Sequence, residues 1–328
     1  MNNGQYEQNY YYPPQPPQQP QRERKIVSVL KAAGYFFLYF GITNLVGVII
    51  ALGVFFTDYF KRFPEMMEAQ TYEETMKIAS EMTNQLQVFL YDNALLMTFI
   101  ANTIAVAVLA LIFFLRRKRE PNATENRFIF KNPGALNVVV ILICGFLLNF
   151  AVNPVLDLVF RLLPNSVLES YSSYSNVYSV GGIAVFILGG IISAPVCEEF
   201  VLRGAMTSRL GRAMNPHLAI FLTSLCFGLM HGHPIQMLYT FALGMLLGYV
   251  FRKHGLFGSI ALHFGFNLGS LPAMVLEMIN PAITESQAFN WTYTILSYVS
   301  IPVTVLLTVF IFRKNKASSG AERRNANG

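Results

Sequence analysis

Residues 181–203, GGIAVFILGGIISAPVCEEFVLR, place two glutamates and an arginine at the end of an apolar run that is long enough to cross a bilayer. A charged side chain at the centre of a bilayer costs about 2.5 to 3.5 kcal/mol on insertion scales, so these residues need a structural or chemical reason. On a helix, Glu199 and Arg203 lie on one face and can pair. Glu198 then points toward a neighbouring face, away from the arginine.

Seven further apolar runs predict a polytopic membrane protein. The 328-residue chain is 53% hydrophobic and only 13% charged, with a mean hydropathy of +0.42, which is typical of membrane proteins. Each run approaches the roughly 17 to 25 residues that a transmembrane helix needs. We predict an all-α fold with about eight transmembrane helices and a buried polar site among helices four to seven. The predicted spans are 32–56, 94–115, 135–153, 177–197, 217–232, 235–251, 256–276 and 291–312.

The basic residues predict how these helices are oriented. All but four of the 24 Lys and Arg residues fall in segments on the side of the two termini, the exceptions being Lys61, Arg62, Lys77 and Arg161. Because basic loops stay in the cytoplasm, we expect a plasma-membrane protein with both termini cytoplasmic. Basic loops beside an anionic inner leaflet also account for the net charge of +6. We expect no nucleic-acid partner, since no RNA- or DNA-binding motif accompanies the charge.

Composition divides the chain into four regions. Residues 1–25 form a Pro- and Gln-rich tail that is predicted to be disordered in the cytoplasm. Residues 26–134 contain two transmembrane helices, an acidic and amphipathic outer loop, and a basic inner loop. Residues 135–316 hold every polar motif and are predicted to be the functional core, and residues 317–328 form a polar tail.

Two histidines and an asparagine accompany the glutamates in the functional core. His231 follows Phe227 by four residues, so the phenyl ring can buttress it, and His263 precedes Asn267 by four residues on one helical face. At 1.5 Å per residue, Glu198 and His231 can lie level, each about 22 Å from the cytoplasmic end of its helix. A lone histidine is more often structural than catalytic. Together these groups indicate a site that hydrolyses amide bonds.

The chemistry of such a site assigns each residue type a role. A carboxylate without a partner in a poorly solvated pocket can act as a general base, so Glu198 is the candidate base and Arg203 keeps Glu199 ionised. Imidazole and carboxamide groups can donate hydrogen bonds to the oxyanion, and a second histidine can orient the water. In isolation, the glutamates and the arginine are equally compatible with a salt bridge at a helix end. The sequence lacks the His-Glu-x-x-His, Gly-x-Gly-Asp and Gly-x-Ser-x-Gly motifs of other proteases.

Three complete motifs carry a family resemblance. Glu198-Glu199-Phe-Val-Leu-Arg203, Phe227-Gly-Leu-Met-His231 and His263-Phe-Gly-Phe-Asn267 resemble the motifs of the CPBP family, which includes type II CAAX prenyl endopeptidases and bacteriocin-processing and immunity proteins. This resemblance implies an intramembrane glutamic endopeptidase. In that family, the first glutamate and first histidine activate water, and the second histidine and the asparagine form the oxyanion hole. The implied catalytic residues are Glu198, His231, His263 and Asn267, supported by Glu199, Arg203 and Phe227.

The family was formerly classed as metalloproteases, so zinc is the alternative cofactor. Its ligands would be Glu198, His231 and His263, since catalytic zinc usually has three protein ligands and one open position. We favour a metal-free mechanism, because the sequence shows no carboxylates that would orient the two histidines as metal ligands.

The expected substrates are peptides or lipidated proteins that associate with membrane lipids and are cut near the cytoplasmic half of the bilayer. A non-proteolytic membrane protein is the alternative, either a bacteriocin immunity or binding protein or a proton-coupled transporter. A transporter would be favoured by inverted repeats and broken helices in both halves, which the sequence does not show.

Overall fold

The computed structural model describes residues 25–119, 129, 131–176 and 181–313, and within these ranges the chain is helical without strands. The all-α prediction is therefore confirmed. The helices are α1 (Lys25–Glu68), α2 (Tyr72–Asp92), α3 (Ala94–Arg119), α4 (Ala135–Ala151), α5 (Asn153–Phe160), α6 (Asn165–Ser175), α7 (Gly182–Ala213), α8 (Pro216–Leu229), α9 (Pro234–Leu268), α10 (Leu271–Ile279), α11 (Pro281–Glu285) and α12 (Gln287–Phe312).

Six helical stretches in the described ranges are long and apolar enough to cross a membrane, so the predicted count of eight is not confirmed. The fifth predicted span is the 14-residue helix α8, which is shorter than a usual span. The sixth and seventh are two arms of α9, which bends at Gly255 where φ is +77°. The predicted tails at both ends, and most of the basic inner loop, lie outside the described residues.

The acidic outer loop forms a helical hairpin, as its amphipathic pattern predicts. The last turns of α1 run beside α2, and Arg62 joins them through a contact of 2.9 Å to Glu81, while it also lies 3.5 Å from Asp58 of its own helix. Helix α2 begins with a capping box, in which Thr71 and Glu74 satisfy each other's backbone N–H groups. These polar contacts suit a hairpin that stands in water.

Most of the described basic residues gather at one end of the bundle, which we call the basic end. Arg116 donates a hydrogen bond to the Tyr35 hydroxyl at 2.8 Å, and Lys253 donates to the Arg313 carbonyl at 2.5 Å. The last turns of α7, which carry Arg212, pack against α1. We call the other end, where α3, α7 and α12 begin and α4 ends, the opposite end.

Small residues let the central helices approach closely. A Cβ atom on Gly189 would lie 2.7 Å from the Leu95 carbonyl oxygen, and one on Gly248 would lie 2.5 Å from the Ile220 side chain. Gly265 sits directly against the backbone of α4. Close packing in lipid depends on such residues, because the apolar solvent supplies little drive for helices to associate.

Candidate active site

A cavity of about 560 Å³ lies between α3, α4, α7, α8 and α9. Its size is within the range of about 300 to 1,000 Å³ that is usual for ligand pockets. All four predicted catalytic residues line it, namely Glu198, His231, His263 and Asn267. Three separate stretches of chain therefore deliver the polar groups of the motifs to one space.

The cavity occupies the half of the bundle nearer the opposite end. Its wall includes Thr98 near the start of α3, Asn149 near the end of α4 and Tyr293 near the start of α12. A site in the cytoplasmic half and a cytoplasmic basic end were both expected. The two expectations are incompatible, since the cavity lies away from the basic end. The sequence did not reveal this, because helix spacing gives depth along each helix but does not show which end of the bundle is open.

Helix α7 departs from α-helical geometry on both sides of the glutamate pair. The segments Ile187–Ser193 and Phe200–Thr207 are π-helical, and Ala194–Glu199 between them is α-helical. Insertions of this kind are frequent at functional sites. They set the direction in which Glu198 and Glu199 leave the helix.

Pro195 explains how Asn267 is held. In the π-helical register, the Ala194 N–H pairs with the carbonyl of Gly189, five residues earlier. The next bond in that register would join residue 195 to Gly190, but proline has no N–H. The Gly190 carbonyl instead accepts a hydrogen bond from Asn267 Nδ2 at 2.8 Å. One amide hydrogen of Asn267 is thus fixed, and the second remains for a ligand in the cavity.

The predicted ion pair between Glu199 and Arg203 is present and fully buried. Arg203 Nη1 lies 2.9 Å from Glu199 Oε1, and both side chains have 0% exposure. Arg203 also donates to the Gly244 carbonyl at 2.9 Å, and its guanidinium stacks 4.9 Å from the centre of the Phe227 ring. The Arg203 guanidinium therefore neutralises the Glu199 carboxylate, as the spacing of the motif predicts.

Glu199 also orients His263. His263 Nδ1 lies 3.0 Å from Glu199 Oε1, and it must be the donor because the carboxylate is paired with Arg203. The expectation that no carboxylate orients the histidines is therefore wrong. It failed because the two residues are distant in sequence and meet only when α7 packs on α9.

This hydrogen bond determines what the other nitrogen of His263 can do. His263 Nε2 faces Glu198, with 3.8 Å between Nε2 and Glu198 Oε2. Since Nδ1 carries a hydrogen, Nε2 has a lone pair in the neutral ring and donates a hydrogen bond only in the imidazolium form. The arrangement of a carboxylate, an imidazole and an open reaction space is typical of an oriented acid–base group.

His231 also presents its Nε2 to the cavity, but it is held by a different anchor. Its Nδ1 donates to the Phe227 carbonyl at 2.8 Å, so Nε2 is the free base of the neutral ring. The Phe227 ring meets the His231 ring edge to face at 4.8 Å and the His263 ring at 5.4 Å. Tyr174 donates to the His231 carbonyl at 2.5 Å. Phe227 is the predicted buttress, and it serves both histidines.

Glu198 is more exposed to the cavity than Glu199, which is buried in its ion pair with Arg203. Its side chain is 14% exposed, compared with 0% for Glu199. Among the described residues that line the cavity, Glu198 is the only Asp or Glu. It is therefore the carboxylate that a water molecule in the cavity would meet.

Sequence reasoning missed several residues of the cavity wall. Tyr39 of α1 lines the cavity and donates to Asn102 of α3 at 3.3 Å, although both helices precede the predicted core at residues 135–316. Gln236, Tyr239 and further aromatic side chains also line it. A single tyrosine in an apolar helix has no periodic signal. Only a polar residue such as Asn102 inside a predicted span could have drawn attention to this contact.

The other three histidines of the sequence do not line the cavity. His217 pairs with the Tyr249 hydroxyl at 2.9 Å, and His254 Nε2 pairs with the Ile311 carbonyl at 3.1 Å. His233 caps the start of α9. All three have structural roles that account for them.

The described residues do not fit a metal site. No three His, Cys, Asp or Glu side chains in these ranges are arranged so that they could hold one metal ion. Glu198, His231 and His263, the ligands of the zinc alternative, do not form such a group.

Comparison with known proteins gives the family of this site. Residues 180–269 match the family model described as type II CAAX prenyl endopeptidase, Rce1-like. The resemblance to the CPBP family is confirmed. The matched segment contains all three motifs, and the matched family is described as one of endopeptidases, so the alternative of a transporter or immunity protein is not favoured. With six apolar helices in its described ranges, the chain is an integral multi-pass membrane protein. No curated protein and no solved structure matches the chain.

Proposed function

We propose that this protein is an intramembrane endopeptidase that hydrolyses peptide bonds of lipidated or membrane-associated polypeptides with water activated by Glu198. One observation carries the proposal. Among the described residues, Glu198 is the single carboxylate on the wall of the cavity, while the arginine of its motif is already paired with Glu199. A base that keeps its lone pairs for water is what amide hydrolysis requires.

The proposed reaction has two steps. Glu198 removes a proton from water while His231 Nε2 orients it, and the resulting hydroxide attacks the carbonyl carbon of the scissile bond. The tetrahedral oxyanion accepts hydrogen bonds from the second amide hydrogen of Asn267 and from His263 in its imidazolium form. Protonated Glu198 then gives its proton to the departing nitrogen as the C–N bond breaks, which leaves a carboxylic acid and an amine.

The supporting residues keep this geometry fixed. Glu199 holds the His263 ring by its Nδ1, and Arg203 holds Glu199. Phe227 fills the space between the two histidines and carries the Arg203 guanidinium on its face. Reaction groups held in advance cost little reorganisation when charge develops, which is the main source of such stabilisation.

The test replaces the base without changing its shape. Purified protein in detergent is incubated with internally quenched hydrophobic peptides, with and without a prenyl group, and initial rates are compared with those of Glu198→Gln. We expect turnover to fall by about 100-fold or more, since general bases contribute about 10²- to 10⁴-fold. Glu277→Gln is the matched control, because Glu277 is exposed on α10 and does not line the cavity. A Glu198→Gln protein that folds normally and keeps the full rate would falsify the proposal.

A further inference from the structure

The position of the cavity bears on which face of the membrane the substrate comes from. Its wall is made by the parts of the helices that lie toward the opposite end of the bundle. The start of α3, the end of α4, helix α6, the start of α12 and the end of α9 all contribute side chains to it. Representative wall residues are Thr98, Asn153, Tyr174, Ser270 and Tyr293. Thr98 and Ser270 are exposed, so the wall reaches the surface at that end.

Toward the basic end, the cavity is closed by packed side chains. Arg203 and Leu202 come one turn after Glu198 on α7, and both have 0% exposure. On α9, Leu247 and Phe251 lie one and two turns beyond the wall residue Leu243, and they are 0% and 1% exposed. A peptide could not pass this layer without disrupting the core, because protein interiors pack as densely as organic crystals.

The charges at the two ends show which end faces the cytoplasm. The basic end carries the described residues Lys25, Arg116, Arg212, Lys253 and Arg313, which lie in short segments next to apolar helices. The described Lys and Arg residues of the opposite end are Lys61, Arg62, Lys77 and Arg161. Because Lys and Arg in short flanking segments are retained in the cytoplasm, the opposite end is the extracytoplasmic one.

The wall also limits the chemistry of what can enter. Its described residues include tyrosines, amides and hydroxyl groups, one carboxylate and no Lys or Arg. The arginine behind the wall, Arg203, is fully buried against Phe227 and is paired with Glu199. An acidic side chain or a free carboxylate in the cavity would lose its hydration beside Glu198 without a Lys or Arg to pair with, which is costly in a poorly solvated site.

We infer that the cavity receives a polypeptide segment without carboxylates from the extracytoplasmic face of the membrane. The inference rests on the proposed function for the cleavage step. The substrate class is an exported or membrane-anchored polypeptide whose scissile bond lies in an extended, carboxylate-free segment on that face. The wall presents uncharged hydroxyl and amide groups, among them Asn149 and Asn153, which do not select a segment by its positive charge.

The first test locates the cavity independently of activity. Single cysteines are introduced at Ser270 on the cavity rim, at Ser173 on the exposed face of α6 and at Gly211 near the basic end, after Cys144, Cys197 and Cys226 are replaced by alanine. Intact cells are treated with a membrane-impermeant maleimide before and after permeabilisation. We expect Ser270→Cys and Ser173→Cys to label in intact cells and Gly211→Cys to label only after permeabilisation. The reverse pattern would overturn the inference.

The second test asks from which face the substrate is cut. An internally quenched peptide with an uncharged scissile segment is coupled to dextran, so that it cannot cross the membrane, and is added to right-side-out or inverted vesicles. We expect cleavage only by right-side-out vesicles, with equal cleavage by both once detergent is added. Cleavage by intact inverted vesicles would overturn the assigned face while leaving the proposed function in place. If nothing is cleaved even in detergent, the proposed function fails, and the labelling experiment still decides the face.

Discussion

At the scale of single residues, Asn267 depends on a carbonyl that a proline leaves without its helical partner. Pro195→Ala would restore an N–H that can pair with the Gly190 carbonyl and compete with Asn267 Nδ2. We expect a lower kcat with a KM close to the original and a Tm that is unchanged or higher. Asn267→Ala gives the limit of this effect, about 100- to 1000-fold in kcat, because it removes one oxyanion donor entirely.

The control for this prediction is another proline within a helix. Pro302 lies inside α12, is exposed and does not line the cavity. Pro302→Ala should leave kcat unchanged. Steady-state kinetics and thermal unfolding in detergent measure both quantities, and a wild-type kcat in Pro195→Ala would show that the proline does not position Asn267.

The buried ion pair leads to a second prediction at this scale. Glu199→Gln leaves the Arg203 guanidinium buried without its counter-charge, and loss of one partner of such a pair costs about 3 to 5 kcal/mol. The same change weakens the acceptor that orients His263. We expect both the Tm and the turnover to fall.

A double variant separates the two effects. Glu199→Gln combined with Arg203→Met removes both charges, so we expect much of the lost Tm to return. Turnover should stay low, because His263 still lacks its anionic acceptor. Recovery of activity together with stability would mean that Glu199 serves only to neutralise the arginine.

At the scale of elements, the bend in α9 is set by one backbone conformation. Gly255 has φ of +77° and ψ of −172°, a region that is essentially restricted to glycine. A side chain there costs about 1 to 3 kcal/mol, and it would shift the arm that carries His263 and Asn267. We expect Gly255→Ala to lower both the Tm and the turnover.

Gly211 provides the matched control for this substitution. It lies in the last turns of α7 with a helical backbone, and a Cβ atom added to it would have no heavy atom within 4 Å, so the site has room for a methyl group. Gly211→Ala should leave activity unchanged and raise stability by about 0.5 to 1 kcal/mol, since alanine favours a helix. Equal losses in the two variants would contradict a special role for residue 255.

The elements also show what the sequence could predict and why. The pairing of Glu199 with Arg203 and the contact of Phe227 with His231 depend only on a four-residue spacing, which any helix converts into a shared face. The π-helical turns of α7 and the contact of His263 with Glu199 depend on how helices pack against one another. No local pattern encodes such packing.

At the scale of the whole molecule, the spacing of the motifs did not indicate the end of the bundle at which the cavity opens. Distances along helices correctly indicated that Glu198, His231 and His263 could meet, and all three line one cavity. They carried no information about the layer formed by Leu247 and Phe251, which closes the cavity toward the basic end. Burial of that kind emerges only when all the helices are assembled.

Metal content is a property of the whole purified protein and gives a further prediction. A glutamate-activated water needs no metal ion, whereas a zinc enzyme holds close to one zinc per chain and loses its nucleophile when stripped. We expect elemental analysis to find well under one zinc per chain and a strong chelator to leave the rate unchanged. Activity that vanished with chelator and returned with zinc alone would recast Glu198, His231 and His263 as ligands.

The hairpin of α1 and α2 has a steric consequence for the choice of substrate. Residues Asp58 to Glu68 add about 16 Å to α1 beyond its apolar part, at 1.5 Å per residue, and α2 ends at Asp92, immediately before the cavity residues Ala94 and Leu95. The end of the hairpin therefore lies next to the cavity wall in the chain. An extended, unfolded chain can reach the cavity beside the hairpin, whereas a folded domain would clash with it. Under the proposed function, the hairpin would favour unfolded chains over compact domains as substrates.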